Sequence, residues 1–313
     1  MATIQTFLEE SLHTSFTINL TNRCNLDCSY CLRDCGPKKE GSLSFTAVKN
    51  ILRYFSLMNE KGLPMIVIFT GGEPFLHPEA DMVFKTAVDL GYTVRIQTNG
   101  TILPSVARRY PWIFEHPKFV FKISIDGWNE ETNDVYRGEG TFRKIIAGLE
   151  VLKTSGSTFG LKSVVHPGNF PEIYKMLDFC REWGARGWTH NILMAKGRSK
   201  IDADISEIDV LNKLIPFYNQ GQYKPLLNGS NALIYYVFGK QGRKVWPPYI
   251  YFHFDGSVYI TDTTIPNREL GRICLGTAEE LKNVIATEEK ILSAIDRPIS
   301  YDIVKFVQQY LKI

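Results

Sequence analysis

Long apolar runs are missing from this chain: no stretch reaches the roughly 20 residues that a membrane-spanning helix needs. Met1 to Ser15 lacks both the basic start and the apolar core of a secretion signal, so a cytoplasmic setting is expected. Charge of one sign is scarce too. A net +3 spread over 313 residues makes no basic stripe and argues for neither a nucleic-acid nor a membrane partner. No dinucleotide-binding glycine fingerprint occurs, and no two histidines share metal-ligand spacing, so His77 and His166 read as structural. Cysteines number six. Three are clustered, and Cys35, Cys180 and Cys274 form an odd remainder unlike a secreted disulfide framework. At 44% hydrophobic and 22% charged, the composition is that of one large globular domain with an extension.

The cluster is Cys24-Asn25-Leu26-Asp27-Cys28-Ser29-Tyr30-Cys31, three thiols within eight residues, directly after the strand-like run Phe16 to Leu20. Thiols this dense mean a metal site. Zinc wants a closed tetrahedron, which Cys35 could complete; a cubane [4Fe–4S] cluster on three thiolates keeps one iron open to an exchangeable ligand. Downstream, Met65 to Phe69 is the continuous apolar run of a buried parallel strand. It ends in Thr70-Gly71-Gly72-Glu73-Pro74, where two glycines let the backbone come close to a ligand and Glu73 offers a carboxylate to an ammonium group.

The C-x-x-x-C-x-x-C spacing, with an aromatic residue before its last cysteine and the Gly-Gly-Glu-Pro loop downstream, resembles the radical S-adenosylmethionine (radical SAM) enzymes. The resemblance implies one [4Fe–4S] cluster on Cys24, Cys28 and Cys31, whose open iron chelates the amino and carboxylate groups of SAM. An electron from a donor such as flavodoxin or ferredoxin then cleaves SAM, and the 5′-deoxyadenosyl radical takes a hydrogen atom from substrate. Ile123-Ser124-Ile125-Asp126-Gly127, followed by Tyr136-Arg137-Gly138 and Gly140-Thr141-Phe142, is similar to the branch of sulfatase maturases and peptide-modifying enzymes. There Ser124 and Arg137 match residues that contact the ribose and carboxylate of SAM, and Leu193 or Met194 matches a residue packed on the adenine. The same resemblance brings Tyr30, Gly71, Gly72, Glu73, Pro74, Asn99 and Asp126 to the cofactor. Taken alone, Ser124 reads as a strand-end cap, Arg137 as a surface cation at a turn, and Asn99 as half of an Asn-Gly turn.

From Phe16 to Ser199 short apolar strands alternate with amphipathic helices, the pattern of a parallel α/β sheet. The expected strands are Phe16–Leu20, Met65–Phe69, Thr93–Gln97, Phe119–Ile125, Leu161–Val165 and about Trp188–Leu193. Between them a helix is capped near Ser44 with Val48, Ile51, Leu52, Phe55 and Met58 on one face, and another spans Pro78 to Leu90. Two more carry Phe142, Ile145, Ile146, Leu149 and Leu152, then Ile173, Met176, Leu177 and Cys180. A polar loop is expected from Asp126 to Tyr136. Six such units with polar strand ends match a partial (β/α)6 TIM-type barrel, which the resemblance also implies over residues 16–200, after an N-terminal segment 1–15.

Residues 201–313 read as a C-terminal α+β extension. It carries helices at about Ile205–Asn219 and Glu279–Ala294 and a hairpin, Tyr249–Phe254 with Val258–Thr261, turning at Asp255-Gly256. In the branch named above this region binds auxiliary clusters through several cysteines; here only Cys274 remains, so one cluster per chain is expected. Cys274 reads as a buried thiol or as a donor of a hydrogen atom to a substrate radical. The resemblance and the aromatics Trp246, Tyr249, Tyr251, Phe252 and Tyr259 point to a ribosomally made precursor peptide. No leader-binding domain fits before Phe16, so a separate leader-binding protein is expected. The alternatives are a small molecule, such as a sugar or aminocyclitol intermediate, and a non-catalytic iron–sulfur protein.

Overall fold

The computed structural model describes residues 14–59, 64–218, 249–262 and 265–272, with isolated positions 62, 220, 222, 223 and 226. The expected helix at Glu279–Ala294 and Cys274 lie outside them. The chain forms two compact units: Met1–Cys24 with Lys38–Gln97 and Trp246–Ile299, and Asn25–Pro37 with Thr98–Val245 and Ser300–Ile313.

In the first unit, β1 (Thr14–Asn19) leads to α1 (Phe45–Met58), β2 (Met65–Thr70), α2 (Ala80–Asp89) and β3 (Thr93–Thr98). β1 and β3 flank β2, all parallel, as strands joined by helical crossovers must be. α1 starts where the Ser44 hydroxyl accepts from the Ala47 N–H at 3.2 Å, one of the donors a helix start leaves open. Its Val48, Ile51, Leu52 and Phe55 are buried, and Phe55 stacks on Phe16 of β1 with ring centroids 4.2 Å apart. Each such side chain is worth about 1.5–3 kcal/mol of burial. The expected hairpin is present as β7 (Tyr249–Phe252) and β8 (Ser257–Asp262), followed by β9 (Ile265–Arg272). It turns at Asp255-Gly256, where Gly256 has φ +84°. β7 lies parallel beside β1, while β8 and β9 are antiparallel.

The second unit holds α3 (Leu103–Arg109), α4 (Pro111–Glu115), β4 (Phe119–Ser124), α5 (Glu130–Arg137), α6 (Thr141–Thr154), β5 (Thr158–Val165), α7 (Lys175–Trp183), β6 (Trp188–Ile192) and α8 (Glu207–Tyr218). β4, β5 and β6 are parallel neighbours. Ile145, Leu149 and Leu152 of α6 and Met176, Leu177 and Cys180 of α7 are buried, whereas Phe142 and Ile146 keep partial exposure. Six strand–helix units in series, with parallel strands, make the α/β, partial TIM-type plan that the sequence implies.

One expectation fails here. The stretch after Asp126 is not a polar loop but helix α5: the Asn129 side chain accepts from the Thr132 N–H at 2.9 Å, and Glu130 and Glu131 occupy the first turn, where acidic groups suit the helix dipole. Among the described residues no helix is long and apolar enough to cross a membrane.

Candidate functional site

In the first unit, β1 and β2 end side by side, and the Gly-Gly-Glu-Pro loop folds over the segment Thr21 to Cys24 beyond β1. The Gly72 N–H donates to the Thr21 carbonyl at 2.7 Å and the Glu73 N–H to the Arg23 carbonyl at 2.8 Å. A Cβ on Gly72 would sit 2.2 Å from the Arg23 oxygen, and one on Gly71 2.4 Å from that of Thr21. The glycines thus serve a close approach of chain to chain, and the segment so clamped delivers Cys24. Glu73 is fully buried, a carboxylate suited to an ammonium group, with Pro74 opening the next turn.

The second unit holds Cys28, Tyr30 and Cys31. Cys28 and Cys31 are partly exposed free thiols. Hydrogen bonds from Cys35, thiol first and backbone N–H second, outweigh burial and hold the Cys31 thiol down at about 5, in the thiolate form that binds metal. Burial pushes Cys28 up, against the charge of Arg137. Among the described residues no three His, Cys, Asp or Glu side chains converge on a point for a single ion. A cubane, whose thiolates each take a different iron, asks for no such convergence. Cys28 and Cys31, two partly exposed thiols of this unit, are donors of the kind such a cluster takes.

The Asp126 carboxylate gathers several donors of this unit. Fully buried, it accepts from Arg137 Nε at 2.8 Å and Nη2 at 2.9 Å, from the Val164 N–H at 2.8 Å, and from the Tyr30 hydroxyl. Arg137, which alone reads as a surface cation, is instead 7% exposed, with the Tyr30 ring 5.7 Å away. Burial, in the first place, pushes the Tyr30 phenol well up. Asn99 holds the cysteine loop: its Nδ2 donates to Asn25 Oδ1 at 2.9 Å while its Oδ1 accepts the Thr101 N–H at 3.0 Å. Ser124 ends β4 and is partly exposed. Past β6, Leu193 is buried and Met194 is 45% exposed.

Sequence reasoning missed two residues. Arg198 grips the cysteine loop through Asp27, Asp34 and the carbonyls of Cys28 and Cys35. No spacing rule links it to cysteines more than 160 residues away. Lys162 lies in register with Ser124 and Thr189; burial, then the charge of Arg33, pulls it down to about 8. A lysine on a largely apolar strand, between Leu161 and Ser163, was the available signal.

The family model described as "Radical SAM superfamily" matches residues 18–180. The AdoMet-dependent heme synthase of Methanosarcina barkeri is 31% identical over 232 residues, covering 72% of this chain and 64% of that protein. The antilisterial bacteriocin subtilosin biosynthesis protein AlbA of Bacillus subtilis is 28% identical over 190 residues, 60% of this chain and 41% of that protein. The chain therefore spans less than two thirds of the length of either relative. A solved structure, native anSMEcpe with bound AdoMet and Cp18Cys peptide, superposes with a TM-score of 0.70 at 20% identity over 95% of this chain and 88% of that one, which fixes the fold.

Proposed function

The chain belongs to the radical SAM superfamily of enzymes, and from that premise we propose that it modifies a ribosomally made precursor peptide, using one [4Fe–4S] cluster on Cys24, Cys28 and Cys31. When bound, the cluster and SAM supply radical abstraction of a substrate hydrogen atom. The protein's own part is binding and exclusion. Glu73 takes the amino group of SAM beside Gly71, Gly72 and Pro74. Ser124 and the free edge of the Arg137 guanidinium take its ribose and carboxylate, with Asp126 and Tyr30 fixing that guanidinium. Leu193 or Met194 covers the adenine, and Asn99 holds the cysteine loop in place. Shielding the site from water keeps a reactive radical from side reactions.

The observation that carries the peptide reading is the similarity to AlbA, a bacteriocin biosynthesis protein. The small-molecule reading is favoured by the similarity to a heme synthase. In the peptide reading the partners are a precursor peptide, a separate leader-binding protein and an electron donor such as flavodoxin or ferredoxin, in the cytoplasm. Cys274 is assigned as the hydrogen donor that closes an epimerisation. Cys274→Ser should then leave SAM cleavage intact while product yield falls, and unchanged product would remove that role.

The test is anaerobic reconstitution with reductant, SAM and the precursor-like peptide encoded nearest to this chain. The expected results are about four irons per chain, 5′-deoxyadenosine, and a mass change in the peptide. About eight irons would refute the single cluster. Deoxyadenosine formation stimulated only by a small molecule would refute the peptide.

A further inference from the structure

Strands β1, β2 and β3 turn one face to their helices: Phe16 and Ile18, Val67 and Phe69, Val94 and Ile96 are buried there, with Phe16 on Phe55 of α1. Side chains alternate along a strand, so the other face is set by the remaining positions. Register places Thr17 beside Ile68, Ile68 beside Arg95, and Tyr251 of β7 beside Thr17. One pair further toward the strand ends, Asn19 lies beside Thr70, immediately before Gly71.

Two groups on this face lack what their chemistry needs. Arg95 is half-buried in mid-strand, and among the described residues no hydrogen bond, ion pair or ring contact holds its guanidinium. A charge drawn partly out of water without a counter-charge loses some hydration that a bound anion would restore. Asn19 is fully buried, and neither its Oδ1 nor its Nδ2 has a hydrogen-bond partner among the described residues, although buried amides are nearly always satisfied. Its Oδ1 would lie 2.9 Å from a Cβ on Gly71, at the strand ends where the Gly-Gly-Glu-Pro loop begins.

We infer that this face is a substrate subsite for an anionic oxygen group, a carboxylate or a phosphate, with Arg95 on β3 as its counter-charge and Asn19, two strands away on β1 and one pair nearer the strand ends, as a neutral hydrogen-bonding group. A guanidinium presents a planar fork that matches two oxygens of either anion. The inference does not rest on the peptide reading. An acidic side chain or chain terminus of a peptide satisfies it, and so does a small acid or a phosphorylated small molecule.

The experiment is arginine-specific labelling of the reconstituted holoenzyme with phenylglyoxal, read by mass spectrometry of the peptide containing Arg95, with acetate, inorganic phosphate or SAM as probe. The exposed Arg53 of α1 is the internal control. Arg95 should label without a probe, and acetate or phosphate should slow it saturably, about tenfold at ten times the Kd, while Arg53 is unaffected. Protection by acetate assigns a carboxylate. Protection by phosphate alone assigns a phosphorylated substrate, which removes the peptide reading but keeps the subsite. Three results overturn the inference: no labelling of Arg95, equal labelling with and without either anion, or protection by SAM alone, which would give Arg95 to the cofactor.

Discussion

Arg198 Nε donates to Asp34 Oδ1 at 3.0 Å, and its two other nitrogens reach the carbonyls of Cys28 and Cys35 and the Asp27 carboxylate. One guanidinium thus fixes the loop that carries Cys28 and Cys31 from both sides. Arg198→Ala should lower the iron retained per chain after reconstitution, because the thiolates lose their preset spacing. The ion pairs to the exposed Asp27 and Asp34 carboxylates are worth only about 0–1 kcal/mol each, so the loss expected is of loop geometry more than of global stability. Arg198→Lys should rescue little, since an ammonium cannot span the same acceptors. Iron and sulfide assays check this; full cluster occupancy in the Ala variant would show that the loop needs no clamp.

Arg137 and Asp126 form a buried ion pair, 7% and 0% exposed. Removing one partner strands the other charge, so Arg137→Met and Asp126→Asn should each destabilise the protein by about 3–5 kcal/mol, and the double variant by less than the sum. Urea unfolding of the three variants measures this. SAM affinity of the folded Arg137→Met protein adds a second readout. A tenfold or greater loss, or about 1.4 kcal/mol, supports the cofactor contact, and unchanged affinity leaves Arg137 with the structural pair alone.

The strands and their long helices are legible in the sequence because each is a strong periodic or continuous apolar signal. Val48, Ile51, Leu52 and Phe55 repeat at helical spacing and are buried. α3 and α4 escape that reading: they are 7 and 5 residues long, too short to show a period, and their signal is proline in the first turn. α5 escapes because its composition is polar and only its Asn129 cap announces it. The motif residues are legible as types and spacings, but their partners are not. That Asp126 gathers Arg137, Tyr30 and the Val164 N–H, that Arg198 holds the cysteine loop, and that Arg95 stands without a counter-charge are long-range facts that only the fold creates.

Gly72 tests whether the Gly-Gly-Glu-Pro loop also builds the cysteine segment. A methyl group there would sit 2.2 Å from the Arg23 oxygen and 2.9 Å from the Cys24 Cβ, so Gly72→Ala must push the segment before Cys24 away. The variant should lose stability by about 1–3 kcal/mol, the usual range for overpacking, and bind less iron before any effect on SAM is considered. Wild-type iron content together with weakened SAM binding would instead assign the glycine to the cofactor alone.

Lys162 gives a pH dependence whose sign is fixed by its environment. Burial, with Arg33 nearby, pulls the ammonium from 10.5 to about 8 in the folded chain. The unfolded state therefore binds more protons between those two values, and stability rises with pH across that window. Below about 8 the penalty for burying the charged form is complete. Lys162→Met keeps the stem and removes the charge, so the variant should be the more stable of the two at pH 7. Its advantage should shrink as the pH rises from 8 toward 10. Thermal melts of both proteins, without cluster and over pH 6.5 to 9.5, measure the gap. A gap that stays constant with pH would mean that Lys162 is solvated in the folded chain, and a variant less stable at pH 7 would mean that the ammonium is paired there.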